Sequence, residues 1–133
     1  MLKLVLDTQI WLDWLVFDDP GVRRMRNAVH LGRAQIVIDA ACDAELERVL
    51  AYDLGKHSIS REAQLAALEQ ARRLARRVEV VPMKGLPQCR DADDQKFIEL
   101  AAATRADALV TKDRELLRLK RHLPFRVVTP QDL

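Results

Sequence analysis

The sequence predicts an α/β fold built on a parallel sheet of roughly five strands, and two features of the chain predict it. Short apolar runs of strand length alternate with stretches whose apolar residues recur at helical spacing. The runs are almost wholly apolar instead of alternating with polar residues, as strands buried on two sides require. Helices in the crossovers would then cover both faces, so the expected architecture is a three-layer α/β/α sandwich.

Taken in order, Leu2 to Leu6 is the first strand, and Trp11, Trp14 and Leu15 follow at helical spacing as core or as a surface for a second copy. Gln35 to Ile38 is the second strand, and Ala44 to Tyr52 a helix. The stretch Asp53 to Ser60, with Gly55 and Ser58, reads as a break between helices, and Ser60 before Arg61 and Glu62 as an N-cap. The next helix, Glu62 to Leu74 with basic residues continuing to Arg77, carries an apolar stripe of Leu65, Leu68, Ala71 and Leu74 for packing on the sheet. Val78 to Val81 is the expected third strand, and the run from Pro82 to Pro87, with Gly85, a loop. Asp91 or a neighbour caps the helix Asp94 to Thr104. The strand Ala108 to Val110, the helix Arg114 to Leu119 and the strand Arg126 to Val128 complete the set.

At 133 residues and 49% hydrophobic content, one domain spanning residues 1–133 with a real core is the economical reading. No apolar run approaches the roughly 20 residues that span a bilayer, and the opening MLKLVLDTQIW lacks the pattern of a signal peptide, so a cytoplasmic location is expected. Cys42 and Cys89 show no paired spacing and read as small buried hydrophobes, which argues against a zinc module. His30, His57 and His122 are scattered without partners and are assigned no catalysis. Net charge is only +2, yet the 22 basic and 20 acidic residues are unevenly placed. Arginines crowd at positions 23 to 26, 72 to 77 and 114 to 121, while several acids fall at segment ends. An acidic centre in a basic surround suits a metal site that receives a polyanion, although any one arginine is as well explained as a solvated helix face.

In an open parallel sheet, ligands bind beyond the carboxyl ends of the strands. Asp7 follows the first strand directly and Asp39 the second, Glu45 lies in the helix after it, Asp94 opens the helix before the fourth strand, and Asp113 comes just after that strand. All can converge on one end of the sheet. Clustered carboxylates repel, and a hard divalent cation with oxygen preference removes the conflict. Such a cation polarises phosphate and activates water, which is phosphodiester hydrolysis chemistry. Each aspartate alone is equally a helix cap, Asp39, Asp91 and Asp93 most of all.

Four segments then match one family in order. Leu-Val-Leu-Asp7-Thr8-Gln9, Glu45-Leu46-Glu47-Arg48-Val49-Leu50, Arg90-Asp91-Ala92-Asp93-Asp94-Gln95-Lys96-Phe97 and Val110-Thr111-Lys112-Asp113-Arg114 make the sequence resemble the PIN-domain family, in particular the bacterial toxins of toxin-antitoxin pairs. The resemblance implies a Mg²⁺- or Mn²⁺-dependent endoribonuclease with Asp7, Glu45, Asp94 and Asp113 as catalytic metal ligands and Asp91 in reserve for the third position. It further implies that Thr111 holds the site through its hydroxyl, that Thr8 supports the Asp7 turn, and that Gln9 takes the place of the family's usual asparagine with its amide displaced by a methylene. Asp39 is an extra acid that would tighten metal binding or crowd it. Arg114, Lys112 and Arg90 are the candidate contacts to RNA. A toxin would imply a cognate antitoxin that blocks the acidic pocket, and a homodimer is expected from the aromatic pair Trp11 and Trp14. Two other readings compete: a catalytically decayed PIN-like module binding RNA or protein, which Gln9 would mark, and a phospho-receiver domain. The receiver would want paired acids after the first strand, where only Asp7 stands, and has Pro82 and Thr129-Pro130 after the third and fifth strands against it.

Overall fold

The computed structural model describes residues 1–52, 59–81 and 83–133. Residues 53–58 of the expected break from Asp53 to Ser60, His57 among them, and Pro82 of the expected loop lie outside the described residues. The elements run β1 (Leu2–Leu6), α1 (Thr8–Leu15), a 3₁₀ turn at Pro20–Val22, α2 (Arg23–His30), β2 (Ala34–Ile38) and α3 (Ala40–Leu50), then α4 (Arg61–Leu74), β3 (Ala75–Arg77), α5 (Gln95–Thr104), β4 (Ala108–Val110), α6 (Arg114–Arg118) and β5 (Arg126–Val128). All strand pairings are parallel, in the order β3-β2-β1-β4-β5.

That order follows from the strands' own chemistry. Consecutive strand residues point to opposite faces, and in β1 Leu4, Val5 and Leu6 are at most 2% exposed, so both faces are covered. Ile36, Val37 and Ile38 of β2 and Ala108, Leu109 and Val110 of β4 are buried in the same way. The chain lays down β2 and β3 on one side of β1 and then returns to place β4 and β5 on the other. The switch point therefore lies between β1 and β4, where a crevice opens beyond the strand ends. Leu6 pairs with Val110 there, and the Asp7 N–H donates to the Val110 carbonyl at 3.0 Å, so Asp7 and Thr111 leave the sheet side by side.

Two expectations need correction, and an alternative left open for a third is decided. The third strand is Ala75–Arg77, not Val78 to Val81: pairing with β2 starts at Ile36 opposite Ala75, and only Ala75 of β3 is buried. At a sheet edge the backbone pairing selects the strand and tolerates arginines pointing to water, so apolar content misleads. The α4 stripe is shorter than expected, since Leu68 and Ala71 are buried but Leu65 is 48% exposed. Trp11 and Trp14 are 2% and 5% exposed and stack on each other at 5.9 Å between ring centroids, with His30 edge-on to Trp14. They are core, which removes the ground on which a second copy was expected to dock. Ser60 does cap α4, its hydroxyl accepting from the Ala63 N–H at 3.1 Å, and both cysteines are buried and free.

Candidate metal centre

Asp7 is set by the end of β1, where the chain turns from strand into α1, and it is 7% exposed. The Thr111 hydroxyl, wholly buried at the end of β4, donates to Asp7 Oδ2 at 2.7 Å and accepts from the Asp113 N–H at 3.0 Å. One hydroxyl thus ties the two strand ends together and orients both acids. Burial pushes the Asp7 carboxyl above its ordinary value; the bond from Thr111 pulls it back, and the charge of Asp113 raises it again. Asp113 also caps α6, its Oδ1 accepting from the Glu115 N–H at 2.8 Å.

Asp94 sits at the entry to α5 and closes the group. Burial pushes its carboxyl up to about 7, helped by a hydrogen bond of its neutral form to Asp113 and by the charges of Asp7, Asp113 and Asp91. Its Oδ2 is buried without a hydrogen-bond partner. Asp13 Oδ2 is the other buried oxygen in that condition among the described residues, but the Lys112 ammonium stands 2.5 Å from it. A half-buried acid with one oxygen buried and unpartnered and other acids around it is costly unless a cation joins it. Asp7, Asp94 and Asp113 are therefore brought together.

The remaining expected residues are placed differently. Glu45 of α3 reaches the neighbourhood through Thr8, whose hydroxyl donates to its Oε2, and through Lys96, whose ammonium lies 2.6 Å from its Oε1. Asp91 is exposed and caps the short turn before α5 by accepting from the Asp93 N–H, and Asp39 caps α3 by accepting from the Cys42 N–H at 3.0 Å. Both are spoken for as caps. The Gln9 amide donates to Asp13 Oδ1 at 3.0 Å, away from the acids it was expected to support. Lys112, expected to meet RNA, spends its charge on Asp13 and on Asp19 at 3.6 Å. Arg114 and Arg90 are exposed and show no ion pair among the described residues. Sequence reading missed the part of Lys96: a pair between α3 and the first turn of α5 leaves no local spacing to read.

Among the described residues no group of three or more His, Cys, Asp or Glu side chains is placed to ligate one ion directly. Mg²⁺ does not demand that, because it keeps several waters and takes only one or two carboxylates directly. An all-carboxylate donor set with one unpartnered buried oxygen on Asp94 fits such an ion. A concavity of about 740 Å³ lies instead along β5 between Arg105, Lys120, Phe125 and Arg126, and none of Asp7, Asp94 and Asp113 lines it.

Comparison with known proteins bears on family and fold. Residues 3–115 match the family model described as PIN domain. A crystal structure of VapBC2 from Rickettsia felis bound to a DNA fragment from their promoter superposes with a TM-score of 0.65 at 15% identity, covering 96% of this chain and 97% of that one. At that identity the likeness speaks for the fold. A search of curated proteins finds no match.

Proposed function

Because the chain belongs to the PIN-domain family, we propose that it is a divalent-metal-dependent endoribonuclease, the toxin of a toxin-antitoxin pair, with residues 1–133 acting as one domain. The observation that carries this reading is the uncompensated group Asp7, Asp94 and Asp113 at the switch point of the sheet. These three carboxylates would hold the cation, with Glu45 on the flank nearest α3. Bound there, Mg²⁺ or Mn²⁺ supplies Lewis-acid polarisation of a phosphodiester.

The chain's own residues do the rest. Thr111 fixes the direction of Asp7 and, through the Asp113 N–H, the loop that carries Asp113. Asp94, whose carboxyl burial and the neighbouring acids push up to about 7, would be one of the residues that hold the cation. Arg114 and Arg90, exposed beside Asp113 and Asp91, would meet the flanking phosphates of RNA. An antitoxin would offer a basic side chain to the same acids and so compete with the cation. A homodimer now rests on family likeness alone, and a cytoplasmic location on that likeness together with the absence, among the described residues, of any helix long and apolar enough to cross a membrane.

The test is cleavage of a panel of labelled RNAs with Mg²⁺ or Mn²⁺ by the wild type, Asp7→Asn and Asp94→Asn, purified alike. Cutting that needs the metal and vanishes in both variants supports the reading. No cutting, together with no metal-induced rise in melting temperature, would replace it with a binding module.

A further inference from the structure

We propose that Lys96 is a built-in cation that neutralises Glu45, so that the acidic site takes a single divalent ion on Asp7, Asp94 and Asp113 where four acids would otherwise accommodate two. The inference rests on the metal reading above and goes beyond it by fixing the number of ions and the residue that sets it.

Glu45 differs from the other acids of the site in having no unmet need. Its side chain is 11% exposed, its Oε1 takes the Lys96 ammonium at 2.6 Å with Arg48 further off at 3.7 Å, and its Oε2 takes the Thr8 hydroxyl. Both oxygens are satisfied by donors from three different helices, α1, α3 and α5. Asp94, by contrast, keeps a buried oxygen without a partner, and Asp7 has one side-chain donor, from Thr111.

Lys96 is held where it is. Its side chain is 19% exposed, it stands in the first turn of α5 two positions after Asp94, and its ammonium lies 5.7 Å from the centroid of the Phe97 ring. A divalent ion recruiting Glu45 would have to displace that ammonium or sit beside it, bringing two further positive charges against a fixed one with little water between. Neither cost falls on an ion bound by Asp7, Asp94 and Asp113. Lys96 is thus a positioning residue: it takes Glu45 out of the ligand set and supplies the second positive charge of the site permanently.

The test counts Mn²⁺ ions per chain by calorimetric titration and follows them by electron paramagnetic resonance, in the full chain without RNA. Wild type is expected to bind one ion with an uncoupled spectrum, and Glu45→Gln to bind no more than one. Lys96→Gln frees Glu45 and is expected to bind a second ion with a spin-coupled spectrum, lost again in Lys96→Gln/Glu45→Gln. Lys96→Arg keeps a cation on Glu45 and should bind one. Two ions in the wild type, dropping to one in Glu45→Gln, would overturn the inference while leaving the metal reading intact. One ion in folded Lys96→Gln would overturn it too, leaving a purely structural ion pair. No Mn²⁺ binding by the wild type would bring down the metal reading, and this inference with it.

Discussion

Replacing Asp94 by asparagine should make the metal-free protein more stable, not less, at pH 8. The reason is the direction of its pKa. The folded chain holds a proton on Asp94 up to about 7, whereas the unfolded chain releases it near 3.8. The folded state therefore binds more protons through that window, and its stability falls as pH rises from about 4 to about 7 and stays depressed above it. Once the solvent screening of a partly exposed carboxyl is allowed for, that depression is about 1 to 2 kcal/mol. Asparagine carries no charge, so Asp94→Asn recovers it. For a chain of this length that is a rise in melting temperature of about 3 to 8 °C at pH 8. The gain should fall to roughly half at pH 5.5, where only the unfolded chain has released the proton, and vanish below about pH 4, where both states hold it. Adding Mn²⁺ reverses the order: an ion at 100 times its Kd stabilises the wild type by about 2.7 kcal/mol, and the variant by much less. Melting curves at the two pH values, with and without Mn²⁺, measure all of this. A variant that melts below the wild type at pH 8 without metal, or that gains as much from Mn²⁺ as the wild type does, would refute the argument that Asp94 is an uncompensated acid waiting for a cation.

Other outcomes follow from the same geometry. Thr111→Val keeps the shape of a wholly buried side chain but removes the donor to Asp7 and the acceptor for the Asp113 N–H; it should cost about 1 to 3 kcal/mol in urea unfolding and lower Mn²⁺ affinity on the order of tenfold. Asp43, 5% exposed, accepts two hydrogen bonds from Arg72 at 2.8 and 3.0 Å, and those bonds hold its carboxyl below the ordinary value. Arg72→Ala should therefore destabilise the protein by about 1 to 2 kcal/mol at pH 7, a difference that fades as pH falls below about 4 and the wild-type pair is itself protonated apart. Burial pushes both the Cys42 and Cys89 thiols up, so neither should react with a disulfide reagent at pH 8 until denaturant is added. Rapid labelling of Cys42 in the native protein would show that the α3 face is open.

The central strands were legible because a strand covered on both faces can only be apolar, and β1, β2 and β4 contain few other residues. β3 was not legible, for the converse reason. It is an edge strand with only Ala75 buried, so its place is decided by the register with β2, and a register between distant segments leaves no mark on the three residues that obey it. α2 escaped notice as well: Val22 and Met25 anchor it while Arg23 and Arg24 face water, too few apolar positions to show a period. Start signals fared better, since Asp39, Ser60, Asp91 and Asp113 each accept a backbone N–H within their own turn, an interaction spanning two or three residues.

The site divides along the same line between local and distant causes. Sequence alone could place many acids at one end of a sheet, but it could not separate those that build the fold from those left over for a ligand. The structure separates them by compensation. Asp13 has Lys112 and Gln9, Asp43 has Arg72, Glu45 has Lys96 and Thr8, and Asp39 has the amide of its own helix. Arg72 and Lys112 were read from the sequence as part of a basic surface and Lys96 was given no role, and each is instead committed to a buried carboxylate from another element. A buried acid without such a partner raises its own pKa and lowers the stability of the fold. Asp7 and Asp94, with Asp113 against them, are left in that state at the one place where the strand order reverses. The chain has cations for Asp13, Asp43 and Glu45, and no ion pair to that group among the described residues, which is the ground for proposing that positive charge reaches it from outside the chain.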